Sequence, residues 1–344
     1  MVLVNIVQSY NIKQKPEDFV VTEQIALHIG QETQKYVIFK LTKRATNTIQ
    51  AIDILTKKLG LQKRDIGFAG IKDKHAITTQ YISLPLIPKI TTEKVLRFAT
   101  EYIHLEFVGY ARRPIATDVL TGNSFRIVVH NMKPKSLSHC INYFGEQRFS
   151  TDNALIGKLL VQKQFKDAVE RIAKGNKTYN EKLVRTHLDT HPADFIGALR
   201  LLPRQSATLY IHAYQSLLWN KTIAKRLGLV AESESDNYIA IPDDTSTYDT
   251  LPQNIPLIGF FYEPSDWPAD VQETITEIMQ EEGITPRDFI IKQFGELTEK
   301  GSIRQVCIPI TDLTITQEAS DTHVISFTLP KGSYATVVLR FLAS

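Results

Sequence analysis

Cysteine is nearly absent: Cys140 and Cys307 are the only two in 344 residues, far apart and in no C-x-x-C pattern. That excludes a disulfide framework and a thiolate cluster, fits a reducing compartment, and leaves both residues as small core side chains. Long apolar runs are missing too. No stretch approaches the ~18 uncharged apolar residues of a membrane helix. The N-terminal MVLVNIVQSYNIKQKPEDF has no basic leader followed by an apolar run, so it does not read as a signal peptide. The expectation is a soluble, cytoplasmic chain with no membrane partner.

Long blocks of one charge sign are absent as well. With 40 Lys and Arg against 37 Asp and Glu, net charge is only +3. This balance excludes large-scale disorder, and it permits a polyanionic partner without demanding one. A phosphate-binding face needs local clustering instead. The candidates are Lys57, Lys58, Lys63 and Arg64, then Lys72 and Lys74, then Arg112 and Arg113.

Nucleotide-cofactor and hydrolase signatures are missing. There is no G-x-G-x-x-G, no G-x-x-x-x-G-K-[ST] and no G-x-S-x-G, so phosphate loops and the hydrolase elbow are excluded. His187 and His191 are four apart with Asp194 behind, but Leu188 stands where a zinc protease needs Glu. No metal and no cofactor are expected.

What is present is a large apolar fraction, 43%, enough for a sizeable core and more than one domain. Tyr36–Leu41 reads as a strand. Thr46-Asn47-Thr48 offers helix-cap chemistry, Ile49, Ile52, Leu55 and Leu59 share a helical face, and Gly60 supplies a stop. Glu93–Tyr102 reads as a second helix and Phe125–His130 as a strand. After Ser150 the texture turns helical: Asp152–Lys174, Asp194–Leu202, Ala207–Arg226, Val271–Glu281 and Pro286–Phe294. A Ser/Asp/Thr-rich loop with a short Tyr238–Ile241 strand interrupts it. From Val306 strands return as VCIPI, HVISFTL and SYATVVLRFL. The expected class is α/β (α+β): a mixed-sheet catalytic domain formed by 1–152 and 305–344, interrupted by a helix-rich insertion over 153–304. Two independent domains side by side are the alternative.

Chemistry concentrates in Gly67–Leu84, GFAGIKDKHAITTQYISL. Gly67 and Gly70 allow an unusual backbone path. Asp73 lies between Lys72 and Lys74 and near His75, on a loop entering a β-favouring run. Nearby cations favour an ionised carboxylate, which can serve as nucleophile or base. By itself a K-D-K loop is most often a solvated surface.

Three further segments accompany it: Lys13-Gln14-Lys15-Pro16-Glu17-Asp18-Phe19-Val20-Val21-Thr22-Glu23; Leu120-Thr121-Gly122-Asn123-Ser124-Phe125, followed by Asn142-Tyr143-Phe144-Gly145-Glu146-Gln147-Arg148-Phe149; and Leu329-Pro330-Lys331-Gly332-Ser333-Tyr334-Ala335-Thr336. Together, in this order, they resemble the TruD family of tRNA pseudouridine synthases. The insertion resembles the family more weakly. Ser150 departs from the family's Gly after Q-R-F, and Phe341 from an acidic residue near the end.

The resemblance implies a pseudouridine-synthase mixed sheet with flanking helices and a TruD-specific insertion. It implies conversion of uridine 13 in tRNA to pseudouridine. That isomerisation involves neither net oxidation nor hydrolysis, so it needs no cofactor. Asp73 matches the catalytic aspartate and Lys13 a basic residue that pairs with it. Phe19, Asn123 and Phe125 match residues around the target base. Phe125 is the expected stacking face; as plain strand alternation it would be core. Asn123 is expected to meet either Asp73 or the uracil edge. Lys72, Lys74, His75 and Tyr334 are looser candidates for pocket or RNA contacts. Arg112, Arg113 and Arg148 are loose candidates to line an RNA channel between catalytic domain and insertion. The partner is tRNA, with no obligate protein partner evident. An RNA-binding protein without catalysis and an unrelated small-molecule enzyme are the competing readings.

Overall fold

A computed structural model describes residues 10–87, 92–96, 100–145, 152–175, 178–229, 239, 241–242 and 245–343. They fall into two compact units, 10–140 with 308–343, and 141–307. In chain order come β1 (Phe19–Ile25), β2 (Tyr36–Arg44), α1 (Thr48–Leu59), β3 (Gly67–Phe68), β4 (Ile77–Pro85), α2 (Thr92–Leu96), β5 (Ile103–Ala111), β6 (Leu120–His130) and β7 (His139–Ile141). Next are α3 (Asn153–Val161), α4 (Phe165–Lys174), α5 (Tyr179–Thr190), α6 (Phe195–Arg200), α7 (Arg204–Arg226), β8 (Asn254–Leu257), α8 (Ala269–Glu282) and β9 (Ser302–Gln305). The chain closes with β10 (Cys307–Pro309), β11 (Thr311–Ala319), β12 (Thr322–Pro330) and α9 (Ala335–Ala343).

In the first unit a mixed sheet runs in the order β11-β12-β6-β1-β4-β2-β5, with β3 paired to β4. The β1–β4 pair is parallel, and its named neighbours are antiparallel. Helix α1 forms as expected. Asn47 accepts from the Ile49 amide at 2.8 Å, and Gly60 closes the helix in the left-handed region at φ 64. Its buried face, Ala51, Ile52, Leu55 and Leu59, packs on Val37, Phe39, Leu41, Ile82, Leu84 and Leu105. Each of the Ile, Leu, Val and Phe side chains contributes roughly 1.5–3 kcal/mol on full burial. The β2, β4 and β5 part of the sheet is thereby fixed against α1.

Several expected elements change. Ser333–Leu342, expected as a strand, is helix α9. A nearly continuous apolar run is ambiguous between the two. Here the Tyr334 carbonyl accepts from the Val337 and Val338 amides, and Ala335, Val338, Leu339 and Leu342 are buried at helical spacing. Pro286–Phe294 is covered by two short 3-10 segments, Pro286–Phe289 and Lys292–Leu297, because Ile290 (φ −88, ψ 106) and Ile291 (φ −105, ψ 86) leave helical geometry between them, and Phe294 (φ −141, ψ 76) kinks the second. Asp152–Lys174 breaks between α3 and α4 at Lys163, whose φ is 63. Glu93–Tyr102 is helical over Thr92–Leu96 and reaches a β-bridge at Thr100, with 97–99 outside the described residues. The Tyr238–Ile241 segment, Arg148 and Ser150 also lie outside them, Tyr238–Ile241 except at positions 239 and 241. Cys140 is buried, and burial pushes the Cys307 thiol up to about 11, so neither behaves as a reactive thiolate.

The second unit is helix-rich, with α3 packed along α7. At its centre Glu282, 6% exposed, meets Lys158 at 2.8 Å, the Tyr214 hydroxyl at 3.1 Å, and Lys221. Burial alone would raise the Glu282 carboxyl, but hydrogen bonds from Lys158 and Lys221 outweigh it and hold the pKa below the ordinary 4.5. A carboxyl lowered on folding stabilises fully above 4.5 and loses that contribution as pH falls through its folded value. Glu282→Gln is therefore expected to destabilise by about 3–5 kcal/mol near neutral pH. It should also flatten the acid limb of stability, as read by urea unfolding across the carboxylate range; an unchanged limb would refute the assignment.

Candidate active site

Asp73 lies on the loop between β3 and β4, as its sequence context implies. The loop's backbone is pinned on several sides. Gln80 donates to the Gly70 carbonyl at 3.2 Å, and the Lys72 amide donates to Thr48 Oγ1, at the start of α1, at 3.0 Å. The Ala45 amide donates to the Ala76 carbonyl at 3.1 Å. Lys43 Nζ donates to the carbonyls of Asp73 at 2.6 Å and Lys72 at 3.4 Å, and to Thr46 at 2.7 Å. Gly70 at φ +108 occupies backbone space that a side chain would strain.

The Asp73 carboxylate emerges from this loop 29% exposed, and Lys13 Nζ reaches its Oδ2 at 3.4 Å. Lys13 also sits over the Phe19 ring, 4.0 Å from its centroid. Phe19 is 2% exposed and meets the half-buried Phe125 edge-on at 6.2 Å; Phe327 lies on the other side of Phe125, at 5.5 Å. Phe125 is thus an accessible ring supported by two buried ones. Gly122 permits the close approach of β6 to β12: a Cβ there would stand 2.3 Å from the Leu329 carbonyl oxygen.

Sequence proximity misleads for Lys72. Its side chain, 8% exposed, turns away from solvent to an ion pair with Glu23 at 2.8 Å and donates to Asn123 Oδ1 at 2.8 Å. Glu23, fully buried, also accepts from the Tyr81 amide at 2.8 Å. Asn123 Oδ1 therefore serves Lys72. Lys74 and His75 are exposed. Arg112 and Arg113 are exposed after β5, and Arg113 is ion-paired to Asp118. Tyr334 is half-buried at the start of α9. His187 stacks on His191 at 4.9 Å and meets Asp194 at 3.0 Å. The Asp194 carboxyl, held low chiefly by the Gly197 amide and then by His187, caps α6. Among the described residues no three His, Cys, Asp or Glu side chains converge as metal ligands, and no helix is long and apolar enough to cross a membrane.

The structure adds two residues to those expected, Glu23 and Lys43. Both interrupt otherwise apolar strand positions, in VVTEQI and FKLTKR, and a charge on a strand's inward phase is the one signal that could have found them.

The sequence profile described as tRNA pseudouridine synthase D (TruD) matches residues 9–182 and 173–342. A tRNA pseudouridine synthase D of Aquifex aeolicus is 28% identical, the alignment covering 96% of this chain and 97% of that protein. A Thermococcus gammatolerans protein named "Probable tRNA pseudouridine synthase D" is 32% identical, over 96% and 93%. The crystal structure of a Methanosarcina mazei protein assigned to tRNA pseudouridine synthase D superposes with a TM-score of 0.66 at 24% identity, covering 96% of this chain and 93% of that one. This last likeness concerns the fold.

Removing the carboxylate of Glu23 would leave the buried Lys72 charge without its ion-pair partner. Glu23→Ala is expected to lower stability by about 3–5 kcal/mol. The double variant Glu23→Leu/Lys72→Met should recover much of that in denaturant unfolding; a double variant no better than the single would contradict the pairing.

Proposed function

The chain belongs to the TruD family of tRNA pseudouridine synthases, and on that premise we propose that it isomerises uridine 13 of tRNA to pseudouridine with Asp73 as the catalytic carboxylate. The observation that carries this reading is the Lys13–Asp73 contact at 3.4 Å beside the supported Phe125 ring. In the reaction the bond from ribose C1′ to uracil N1 breaks, the base turns, and C5 bonds to C1′. One carboxylate acts at the sugar, attacking C1′ or taking the 2′ proton. Asp73 fills that role from a loop whose backbone is fixed while its carboxylate remains partly exposed. Lys13 orients the carboxylate by a charge-assisted contact.

Phe125 stacks on the detached uracil, and Phe19 and Phe327 hold its ring in place. In this reading residues 1–152 and 305–344, which contain the unit of 10–140 and 308–343, form the catalytic domain. The insertion, expected over 153–304, falls within the unit of residues 141–307; in this reading it is the TruD-specific element and adds RNA contacts. The target base must be unstacked, at a cost of a few kcal/mol, and phosphate contacts offset that cost, so binding weakens steeply with salt.

The test is pseudouridine mapping of a tRNA transcript carrying uridine 13, incubated with purified protein and no additive. Wild type should place pseudouridine at position 13. Asp73→Asn should keep fold and RNA binding while losing product; retained turnover would overturn the assignment, and binding without product from wild type would favour a binding protein. Phe125→Ala should lower turnover roughly 5- to 150-fold, the range set by loss of one base-stacking face. A proportionate loss of stability would return Phe125 to the core.

A further inference from the structure

Lys43 is fully buried near the end of β2. A buried ammonium is unfavourable unless its donors are used, and this one donates to three main-chain carbonyls, of Thr46, Lys72 and Asp73. Two of those carbonyls belong to the loop that presents the Asp73 carboxylate, and one is Asp73's own. We propose that Lys43 is a positioning residue for Asp73: its ammonium ties the β3–β4 loop to the turn before α1 and so sets where the carboxylate stands. The inference rests on the reading of Asp73 as the catalytic group.

The geometry favours this over a general stabilising role. Lys43 is the Cα partner of Thr78 across β2–β4, so its side chain rises from the sheet within five residues of Asp73 along β4. The Asp73 carbonyl bond, at 2.6 Å, is the shortest of the three. Further anchors hold Gly70, Lys72 and Ala76, on either side of Asp73. Without Lys43 the residue that does the chemistry would lose a hydrogen bond at its own carbonyl, and a displacement near 1 Å at a reacting group costs ~100-fold in rate.

The experiment compares wild type, Lys43→Met and Ser83→Ala in single-turnover conversion of a uridine-13 tRNA transcript, below the unfolding temperature of all three. Ser83, buried and accepting from the Ile115 amide at 2.9 Å, reports loss of a buried hydrogen bond elsewhere in the same unit. Lys43→Met is expected to slow the chemical step ~10- to 100-fold with tRNA Kd within about twofold, and to speed amide exchange in residues 70–76. Ser83→Ala should lose thermal stability and keep its rate. If Lys43→Met gives no folded protein, Lys43→Gln, which keeps two N–H donors on a shorter stem, should fold and show the same loss confined to rate. An unaltered rate, or rate and affinity falling together with the folded fraction, would overturn the inference alone. Absence of product from wild type would remove it together with the proposed function.

Discussion

The parallel pairing of β1 with β4 is the constraint on which the site depends. Val20 pairs with Ile77 and Val21 with Thr78, so both strands start at the same edge of the sheet. The segment before β1 carries Lys13 and the loop before β4 carries Asp73. An antiparallel pair would have sent these lead-in segments to opposite ends. Sixty residues of separation are closed to a 3.4 Å contact by strand direction and register.

The same register sets a row of Cα partners across five strands: Lys43 on β2, Thr78 on β4, Val21 on β1, Phe125 on β6 and Phe327 on β12. Paired residues share a face, so this row brings the loop anchor and the aromatic group to one side of the sheet. One step along, Glu23 pairs with Asn123, which places both beside the Lys72 ammonium. A one-residue slip of β6 would carry Phe125 and Asn123 to the opposite face, where Gln24, Ser124 and Thr328 form a polar chain. Gly122, in contact distance of the β12 backbone, is one of the features that holds this register.

Charge in the site is sorted by depth. Lys43 and Lys72 are buried and spent on the protein itself, one on carbonyls and one on Glu23 and Asn123. Lys13 and Asp73 stay partly exposed. Buried charge requires fixed partners and so rigidifies its surroundings, whereas a partly exposed pair remains accessible to a substrate.

Much of this was legible in the sequence. A cap within Thr46–Thr48, which the structure places at Asn47, and the stop at Gly60 bounded α1, because capping is decided by local hydrogen bonds. The loop position of Asp73 followed from two glycines ahead of a β-favouring run, and the four ordered motifs carried the family. Other features were decided by packing at a distance. The Ser333–Leu342 run satisfies strand and helix patterns alike, and burial against the unit's core made it α9. Lys72 is adjacent to Asp73 in sequence yet its ammonium turns to Glu23 on β1 and Asn123 on β6. Sequence therefore determined which chemical groups are present and which local turns display them. Only the tertiary structure decided that Lys43 anchors the Asp73 loop and that Lys72 turns to Glu23 and Asn123, since those contacts depend on strand direction and register between segments far apart in the chain.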